Sequence, residues 1–375
     1  MPALLSKPDP QGLLEYSVVY TDRALNHMSQ RFQRVMKDVS RVLKSVYHAQ
    51  ASVIVPGSGT FGMEAVARQF ATDKRCLIIR NGWFSYRWSQ ILEMGRISAD
   101  VTVLKAKRIG SGIQAPFAPV PIDEAVAAIR QTKPAIVFAP HVETAAGMIL
   151  PDEYLRAIGT AVRDVDGLFV LDCIASGTVW VDMVSAGVDV LISAPQKGWS
   201  GPPCCALIAL SERARARIDA TTSTSFACDL KKWLQIMAVY EAGGHAYHAT
   251  MPTDALATLR DVMLEAEQYG FKKVAQEQED LGRLVRELLV RRGFPSVAAE
   301  GFQAPGVVVS YTTDPAIQSG KAFLEAGLQI AAGVPLQCDE GADFRSFRIG
   351  LFGLDKLHNP SRTVRSLEDA LRSFA

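Results

Sequence analysis

Seven short runs of apolar residues recur between positions 52 and 210 of the chain. They lie at residues 52–56, 76–80, 101–104, 135–139, 168–172, 188–193 and 206–210. Most are separated by stretches such as 122–129 and 152–162, in which apolar residues recur every three or four positions. Continuous apolar runs predict strands buried on both faces, and the intervening period predicts helices. The pattern therefore predicts an α/β fold with a mostly parallel sheet covered by helices.

The N-terminal part of the chain follows a different pattern. Residues 1–20 have no clear period and predict an irregular arm. Apolar residues then recur at offsets of three and four between positions 32 and 46, which predicts a helix with one buried face. We expect this helix and the seven strands to belong to one large domain, at residues 21–260.

The C-terminal part is richer in charge and contains fewer apolar runs. A long helical stretch reaches residue 291, and β-like segments at 306–312 and 346–351 flank a helical segment at 316–326. We predict a smaller α+β domain at residues 261–375. Its boundary is expected inside a helix, because no Pro- or Gly-rich linker marks it.

Composition and charge exclude several classes of protein. The 375 residues carry 40 Lys and Arg against 39 Asp and Glu, and no stretch concentrates one sign. This balance disfavours a nucleic acid or an anionic membrane surface as partner, and no apolar run is long enough to span a membrane. The six dispersed cysteines lack the spacing of a metal site, and no secretory signal is readable. We therefore expect no metal, reduced thiols and a cytoplasmic location.

A glycine-rich loop, GSGTFG at residues 57–62, follows the first apolar run and opens a helical pattern. It matches the GxGxxG motif of dinucleotide-binding proteins. That reading also requires an acidic residue at the tip of the next strand, where this chain has Arg80. Glycines with Ser58 and Thr60 at a helix N-terminus still offer N–H groups and hydroxyls to any phosphate. An ordinary strand-to-helix turn capped by Thr60 is the alternative.

Two further residues end apolar runs and carry candidate chemistry. Asp172 closes the run DGLFVLD, which places a carboxylate at the edge of the sheet where open α/β folds bind ligands. Lys197 follows the run VLISAP and precedes the loop GWSGPP. A lysine desolvated there has a lowered pKa and becomes nucleophilic enough for a Schiff base. Taken singly, the aspartate could be a turn residue and the lysine a surface charge.

Together, a phosphate loop, an aspartate and a lysine provide the three contacts that pyridoxal 5′-phosphate requires. The phosphate would take the glycine loop, the pyridinium nitrogen would take Asp172, and the aldehyde would take Lys197. At these residues the sequence resembles the class V aminotransferases of pyridoxal-phosphate fold type I, most closely the alanine/serine–glyoxylate aminotransferase group. The motifs that carry the resemblance are, in order, GSGT with MEA at 57–65, NGWF at 81–84, HVET at 141–144, LD with AS at 171–176, QK at 196–197, YHATMP at 247–252 and RIGL at 348–351.

The resemblance implies a large domain with a seven-stranded sheet, a smaller C-terminal domain, a homodimer with shared active sites and a set of site residues. Lys197 would carry the cofactor as an internal aldimine, and Asp172 would pair with its ring nitrogen. Arg348 would bind the substrate carboxylate. The implied cofactor contacts are Ser58, Gly59, Thr60, Phe84, Thr144, Asp172, Gln196, Lys197, Tyr247 and Thr250, the last two reaching the cofactor of the neighbouring subunit.

Several of these assignments have structural alternatives. Phe84 could be a core aromatic, with Trp83 stacking on the ring instead, and Tyr247 could be a plain interface residue. Arg348 could pair with Glu340 or Asp343. The chain also departs from the family at two places. Ala145-Ala146 follows Thr144 where the family commonly has a Ser or Thr that bonds the cofactor, and Thr144 could supply that hydrogen bond instead. Residues 20–27 replace a Gly-Pro-Gly segment that lines the substrate entrance in the family.

The resulting hypothesis is an aminotransferase that moves an amino group from a small amino acid to a small 2-oxo acid such as glyoxylate or pyruvate. The same cofactor also serves lyases, epimerases and phosphonate aminotransferases, because the pocket selects the bond that breaks. A nicotinamide-dependent dehydrogenase and a noncatalytic phosphate binder are the alternatives outside this class.

Overall fold

A computed structural model describes residues 11–374 of the chain. Residues 1–10, half of the predicted arm, and residue 375 lie outside the described residues. Strands are β1 Ala51–Pro56, β2 Cys76–Arg80, β3 Val101–Lys105, β4 Lys107–Arg108, β5 Phe117–Ala118, β6 Ile136–Pro140, β7 Val142–Glu143, β8 Met148–Ile149, β9 Leu168–Asp172, β10 Val190–Ser193, β11 Cys205–Leu210, β12 Val307–Tyr311, β13 Ala331–Ala332 and β14 Ser346–Gly350.

The helices lie before the first strand, between the strands and after the last strand. They are α1 Gln30–Tyr47, α2 Gly59–Phe70, α3 Trp83–Met94, α4 Ile122–Thr132, α5 Asp152–Asp164, α6 Met183–Ala186, α7 Glu212–Asp219, α8 Leu230–Glu241, α9 Thr253–Tyr269, α10 Phe271–Arg291, α11 Pro315–Gln318, α12 Lys321–Glu325, α13 Leu354–Leu357 and α14 Pro360–Arg372. In the described part of the chain, no helix is both long and apolar enough to cross a membrane.

The predicted mostly parallel seven-stranded sheet is confirmed. Its strand order is β1-β11-β10-β9-β6-β2-β3, and only β11 runs antiparallel to its two neighbours. All seven predicted runs form these strands, and β6, β9, β10 and β11 are buried along their whole length. Burial on both faces explains why these segments contain few polar residues.

The topology disfavours the dinucleotide reading of the glycine loop. The strand before that loop, β1, lies at the edge of the sheet and pairs only with the antiparallel β11. A dinucleotide-binding fingerprint instead follows a strand at the centre of a parallel sheet. The residue at the tip of β2, where an acidic ribose ligand is expected, is Arg80, which donates to Ser89 Oγ and the Gln337 carbonyl oxygen.

The C-terminal part contains the predicted strands, but each of the two predicted helices is divided into two shorter helices. β12, β14 and β13 form a small antiparallel sheet. The predicted long helix is divided at Gly270, whose φ of 105° favours glycine, and the predicted helix at 316–326 is divided at Gly320. One buried apolar cluster extends to Met263 and another begins at Ala266. The domain boundary near residue 260 remains a prediction that this change of core supports.

Candidate active site

A cavity opens at the carboxyl edge of the large sheet, where most of the predicted site residues meet. Its lining is Ser58, Gly59, Thr60, Met63, Phe84, Arg87, Val142, Thr144, Asp172, Ile174, Ala175, Gln196 and Lys197. Eight of the eleven predicted residues are therefore brought together by the fold. Arg348 lies close by, as described below, whereas Tyr247 and Thr250 lie elsewhere.

The first turn of α2 forms one side of the cavity. Ser58 is the N-cap residue, but its side chain makes no capping hydrogen bond to this helix. A Cβ atom on Gly59 would come within 2.5 Å of the Ile174 side chain, and one on Gly62 within 2.4 Å of Ala206 Cβ. Gly62 is therefore required for close packing of α2 onto the sheet, whereas a side chain at residue 59 would require the Ile174 side chain to move. The turn presents N–H groups and hydroxyls at the positive end of the helix, which suits a phosphate.

Asp172 is the last residue of β9, and its side chain is only 7% exposed. Its Oδ1 accepts a hydrogen bond of 2.9 Å from the Ile174 N–H. Burial raises the pKa of Asp172 to about 6, although this hydrogen bond and the charges of Lys197 and Arg87 oppose the shift. A desolvated carboxylate of this kind gains from a cationic partner such as a protonated ring nitrogen.

Lys197 lies in the loop after β10 and is half-buried. The backbone around it is closely packed, because a Cβ atom on Gly198 would collide with the Gly177 carbonyl oxygen. Burial lowers the pKa of Lys197; the neighbouring Arg87 and Arg348 lower it further, while Asp172 acts against this. The amine forms no ion pair with any carboxylate in residues 11–374. It is therefore available as a nucleophile or a base.

Glu143 holds the helix that carries Phe84. It is fully buried, and its carboxylate accepts hydrogen bonds from the N–H groups of Phe84, Ser85 and Ala145 and from the Ser85 hydroxyl, at 2.7 to 3.2 Å. Negative charge at a helix N-terminus is stabilising. Gly82 is required beside it, because a Cβ atom there would come within 2.6 Å of the Glu143 side chain. The Glu143 of the HVET motif thus positions α3 at the cavity.

Three cations surround the Phe84 ring. Its centroid lies 5.9 Å from Lys197 Nζ, 4.8 Å from Arg87 Cζ and 5.4 Å from Arg348 Cζ. Arg348 Nε donates to the Ala332 carbonyl oxygen at 2.8 Å. The alternative ion pair of Arg348 with Glu340 or Asp343 is not formed; Glu340 instead accepts from backbone N–H groups at residues 336–338. The Arg348 guanidinium retains donors for a substrate carboxylate.

Tyr247 and Thr250 do not line this cavity. They lie on the irregular segment between α8 and α9, where Tyr247 Oη and Thr250 Oγ1 are 3.1 Å apart. Both side chains are exposed. Arg87, in contrast, lines the cavity and was not predicted from the sequence. Its position three residues after Phe84 on a helical pattern was a usable signal, since residues three apart share a helix face.

Comparisons with known proteins identify several aminotransferases among the proteins similar to this chain. No family model matches the chain. An alanine–glyoxylate aminotransferase of Saccharomyces cerevisiae is 28% identical over 323 residues, covering 81% of this chain and 79% of the relative. A 2-aminoethylphosphonate–pyruvate transaminase of Syntrophobacter fumaroxidans is 26% identical, covering 92% and 89%. The crystal structure of an alanine–glyoxylate aminotransferase from Nostoc superposes with a TM-score of 0.78 at 21% identity, covering 93% of this chain and 89% of that one.

The fold and these relatives define an enzyme of the aminotransferase class. More particularly, the chain is similar to the class V aminotransferases and has the architecture of pyridoxal-phosphate fold type I. The predicted resemblance, fold class and enzyme class are confirmed, and the dehydrogenase alternative is not favoured.

Proposed function

We propose that the chain binds pyridoxal 5′-phosphate in the cavity at the carboxyl edge of the sheet and transfers an amino group from a small amino acid to a small 2-oxo acid. One observation carries this proposal: an amine, a carboxylate and a helix N-terminus, from Lys197, Asp172 and the first turn of α2, line a single cavity. These groups fit the aldehyde, ring nitrogen and phosphate of this cofactor.

The two central residues would have different tasks. When bound, the cofactor supplies an electron sink for negative charge that develops at the substrate Cα. Lys197 would hold the cofactor covalently through its amine and, once released, would move the proton between the substrate Cα and the cofactor C4′. Its lowered pKa favours the uncharged amine that both tasks require. Asp172 would keep the ring nitrogen protonated.

The remaining cavity residues would orient the cofactor and substrate. Ser58, Gly59 and Thr60 would donate hydrogen bonds to the phosphate, and Phe84 would stack on the ring. Thr144 and Gln196, which also line the cavity, would supply further polar contacts. Arg348 would bind the α-carboxylate, because a guanidinium forms a bidentate pair with a carboxylate.

A small amino donor and glyoxylate or pyruvate as acceptor are the proposed substrates. Two observations support this choice: one candidate carboxylate clamp is present at the cavity, and the relatives named above act with glyoxylate or pyruvate. The relative with aminoethylphosphonate activity makes a phosphonate donor the second candidate.

The proposed enzyme is a homodimer in which Tyr247 and Thr250 serve the partner's cavity. Their exposure, their hydrogen bond to each other and their absence from the cavity of their own chain support this arrangement. The proposed location is the cytoplasm. The six cysteine side chains, all within the described residues, are free thiols, as a reducing compartment would keep them.

The test begins with cofactor binding and continues with a panel of substrates. Purified apoenzyme is titrated with pyridoxal 5′-phosphate, and we expect a visible absorption band that Lys197→Ala removes. Lys105→Ala is the matched control, since Lys105 pairs with Asp339 on the surface and does not line the cavity. Alanine, serine and 2-aminoethylphosphonate are then supplied with glyoxylate or pyruvate. Absence of the band in wild type, or of transfer from every donor, would contradict the proposal.

A further inference from the structure

Arg87 is a cation in the cavity with no assigned role. It lies on α3, and its Nη1 donates to Thr60 Oγ1 at 3.1 Å, while its guanidinium carbon lies 4.8 Å from the Phe84 ring centroid. Among the described residues no carboxylate lies close enough to form an ion pair with it, although the charge of Asp172 interacts with it at longer range. A partly buried guanidinium without a counter-ion is costly unless an anion arrives.

The first turn of α2, where the phosphate is proposed to bind, carries no charged side chain of its own. The first turn of α2 offers neutral donors and a helix dipole, and the dipole amounts to only about half a charge. Of the described residues that line the cavity, only Arg87 and Lys197 are cations. In the proposed function Lys197 uses its amine for the covalent link to the cofactor. Arg87 is then the one lining cation that remains to balance a phosphate.

The contact with Thr60 also orients the hydroxyl for this task. Because Arg87 donates to Thr60 Oγ1, the lone pair on that side is occupied and the hydroxyl proton is free to point elsewhere. A hydroxyl that accepts from a cation becomes a better donor to an anion. We propose that Arg87, together with the Thr60 hydroxyl that it contacts, binds the phosphate group of the cofactor. This inference rests on the proposed function.

The test separates the phosphate from the rest of the cofactor. Apoenzyme of wild type, Arg87→Gln and Arg87→Lys is titrated with pyridoxal 5′-phosphate, with pyridoxal and with inorganic phosphate, following tryptophan fluorescence and thermal stabilisation. For Arg87→Gln we expect the affinity for pyridoxal 5′-phosphate to fall about tenfold or more, as for loss of a charge-assisted hydrogen bond. Pyridoxal affinity should stay within about twofold, stabilisation by inorganic phosphate should disappear, and Arg87→Lys should be intermediate.

Arg75→Gln is the matched control, because Arg75 forms an exposed ion pair with Asp100 and lies outside the cavity. Circular dichroism checks that each variant is folded. Equal weakening of pyridoxal and pyridoxal 5′-phosphate would overturn the inference and make Arg87 a support for the Phe84 ring. Unchanged affinities for the cofactor and for phosphate would also overturn it. This holds even if KM for acidic or phosphonate donors changes, because Arg87 would then act on the substrate and not on the cofactor phosphate. A wild-type protein that binds no pyridoxal 5′-phosphate would remove the proposed function and this inference together.

Discussion

The predicted site residues fall into two regions with different physical support. Asp172 ends a fully buried strand, and Lys197 lies in a loop packed so tightly that residue 198 must be glycine. Tyr247 and Thr250, in contrast, lie exposed on an irregular segment between two helices. The first region is positioned by the core of one chain. The second lies outside the cavity that the described residues of its own chain form, as expected of residues that are proposed to serve a neighbouring subunit.

The N-terminal segment belongs to the second region. Tyr20 Oη donates to the Met251 carbonyl oxygen, and the Leu25 N–H donates to Asp254 Oδ1. The His27 ring lies 5.6 Å from those of both Tyr20 and Tyr247. The segment that replaces the family's Gly-Pro-Gly motif is thus attached to the segment that carries Tyr247. The substrate entrance that the resemblance assigns to this segment would then belong to a shared site.

The largest expected effect concerns the buried region. Lys197→Ala should abolish turnover, because the covalent link and the proton transfer both use its amine. The fold should persist, since the side chain forms no ion pair among the described residues. Turnover is measured with the best amino donor from the panel. A folded Lys197→Ala protein that retains near wild-type turnover would remove the central assignment.

Asp172→Asn should reduce kcat about 100-fold or more, because a neutral amide cannot stabilise a protonated ring nitrogen. In the apoenzyme, by contrast, the same substitution should increase the free energy of unfolding. The pKa of Asp172 is raised to about 6, above the unfolded value of about 4. The folded chain therefore holds this proton more tightly, and its contribution to the free energy of unfolding is lost as pH rises from about 4 to about 6.

At pH 8 we therefore expect apo Asp172→Asn to be more stable than apo wild type by about 3 kcal/mol. The difference should vanish below about pH 4, where both states of wild type hold the proton. Urea unfolding of the two apoproteins across this range measures it. A stability difference that does not change with pH would show that Asp172 is not desolvated in solution.

Much of the buried region could be predicted from the sequence, because burial imposes apolar runs, and two of these runs lead directly to Asp172 and Lys197. The break at Gly270 was missed, since the helical period of apolar residues continues across it. Arg87 was missed because a lone arginine resembles a surface charge until its lack of a carboxylate partner is seen. The role of Glu143 as a cap for α3 depends on two segments 58 or 59 residues apart in sequence, which no local pattern relates.

Arg348 lies on β14 of the small C-terminal sheet, and its guanidinium lies near the Phe84 ring at the cavity. The loss of activity on replacing it should be intermediate in size. Arg348→Ala should raise KM for amino donors about 10- to 100-fold, as for loss of hydrogen bonds to a charged group. Cofactor affinity should change little. Arg345→Ala is the control, because Arg345 lies three residues earlier and is exposed. An unchanged kcat/KM for every donor would make Arg348 a structural residue.

The smallest expected signal tests the exposed region directly. A Lys197→Ala chain is mixed with a chain that carries Tyr247→Phe and Thr250→Ala, after each homodimer has been shown to be impaired. If Tyr247 and Thr250 act on the partner's cavity, one site of each mixed dimer combines an intact Lys197 with an intact pair from the other chain. The second site carries both defects.

With random pairing of equal amounts, half of the dimers are mixed and one of their two sites is restored, so about a quarter of all sites should be active. If the segment instead serves its own chain, each site of a mixed dimer carries one defect and mixing restores nothing. Differently tagged chains confirm that subunits have exchanged. Exchange without recovery of activity would therefore mean that Tyr247 and Thr250 do not act across the dimer, and the two regions would have to be explained within a single chain.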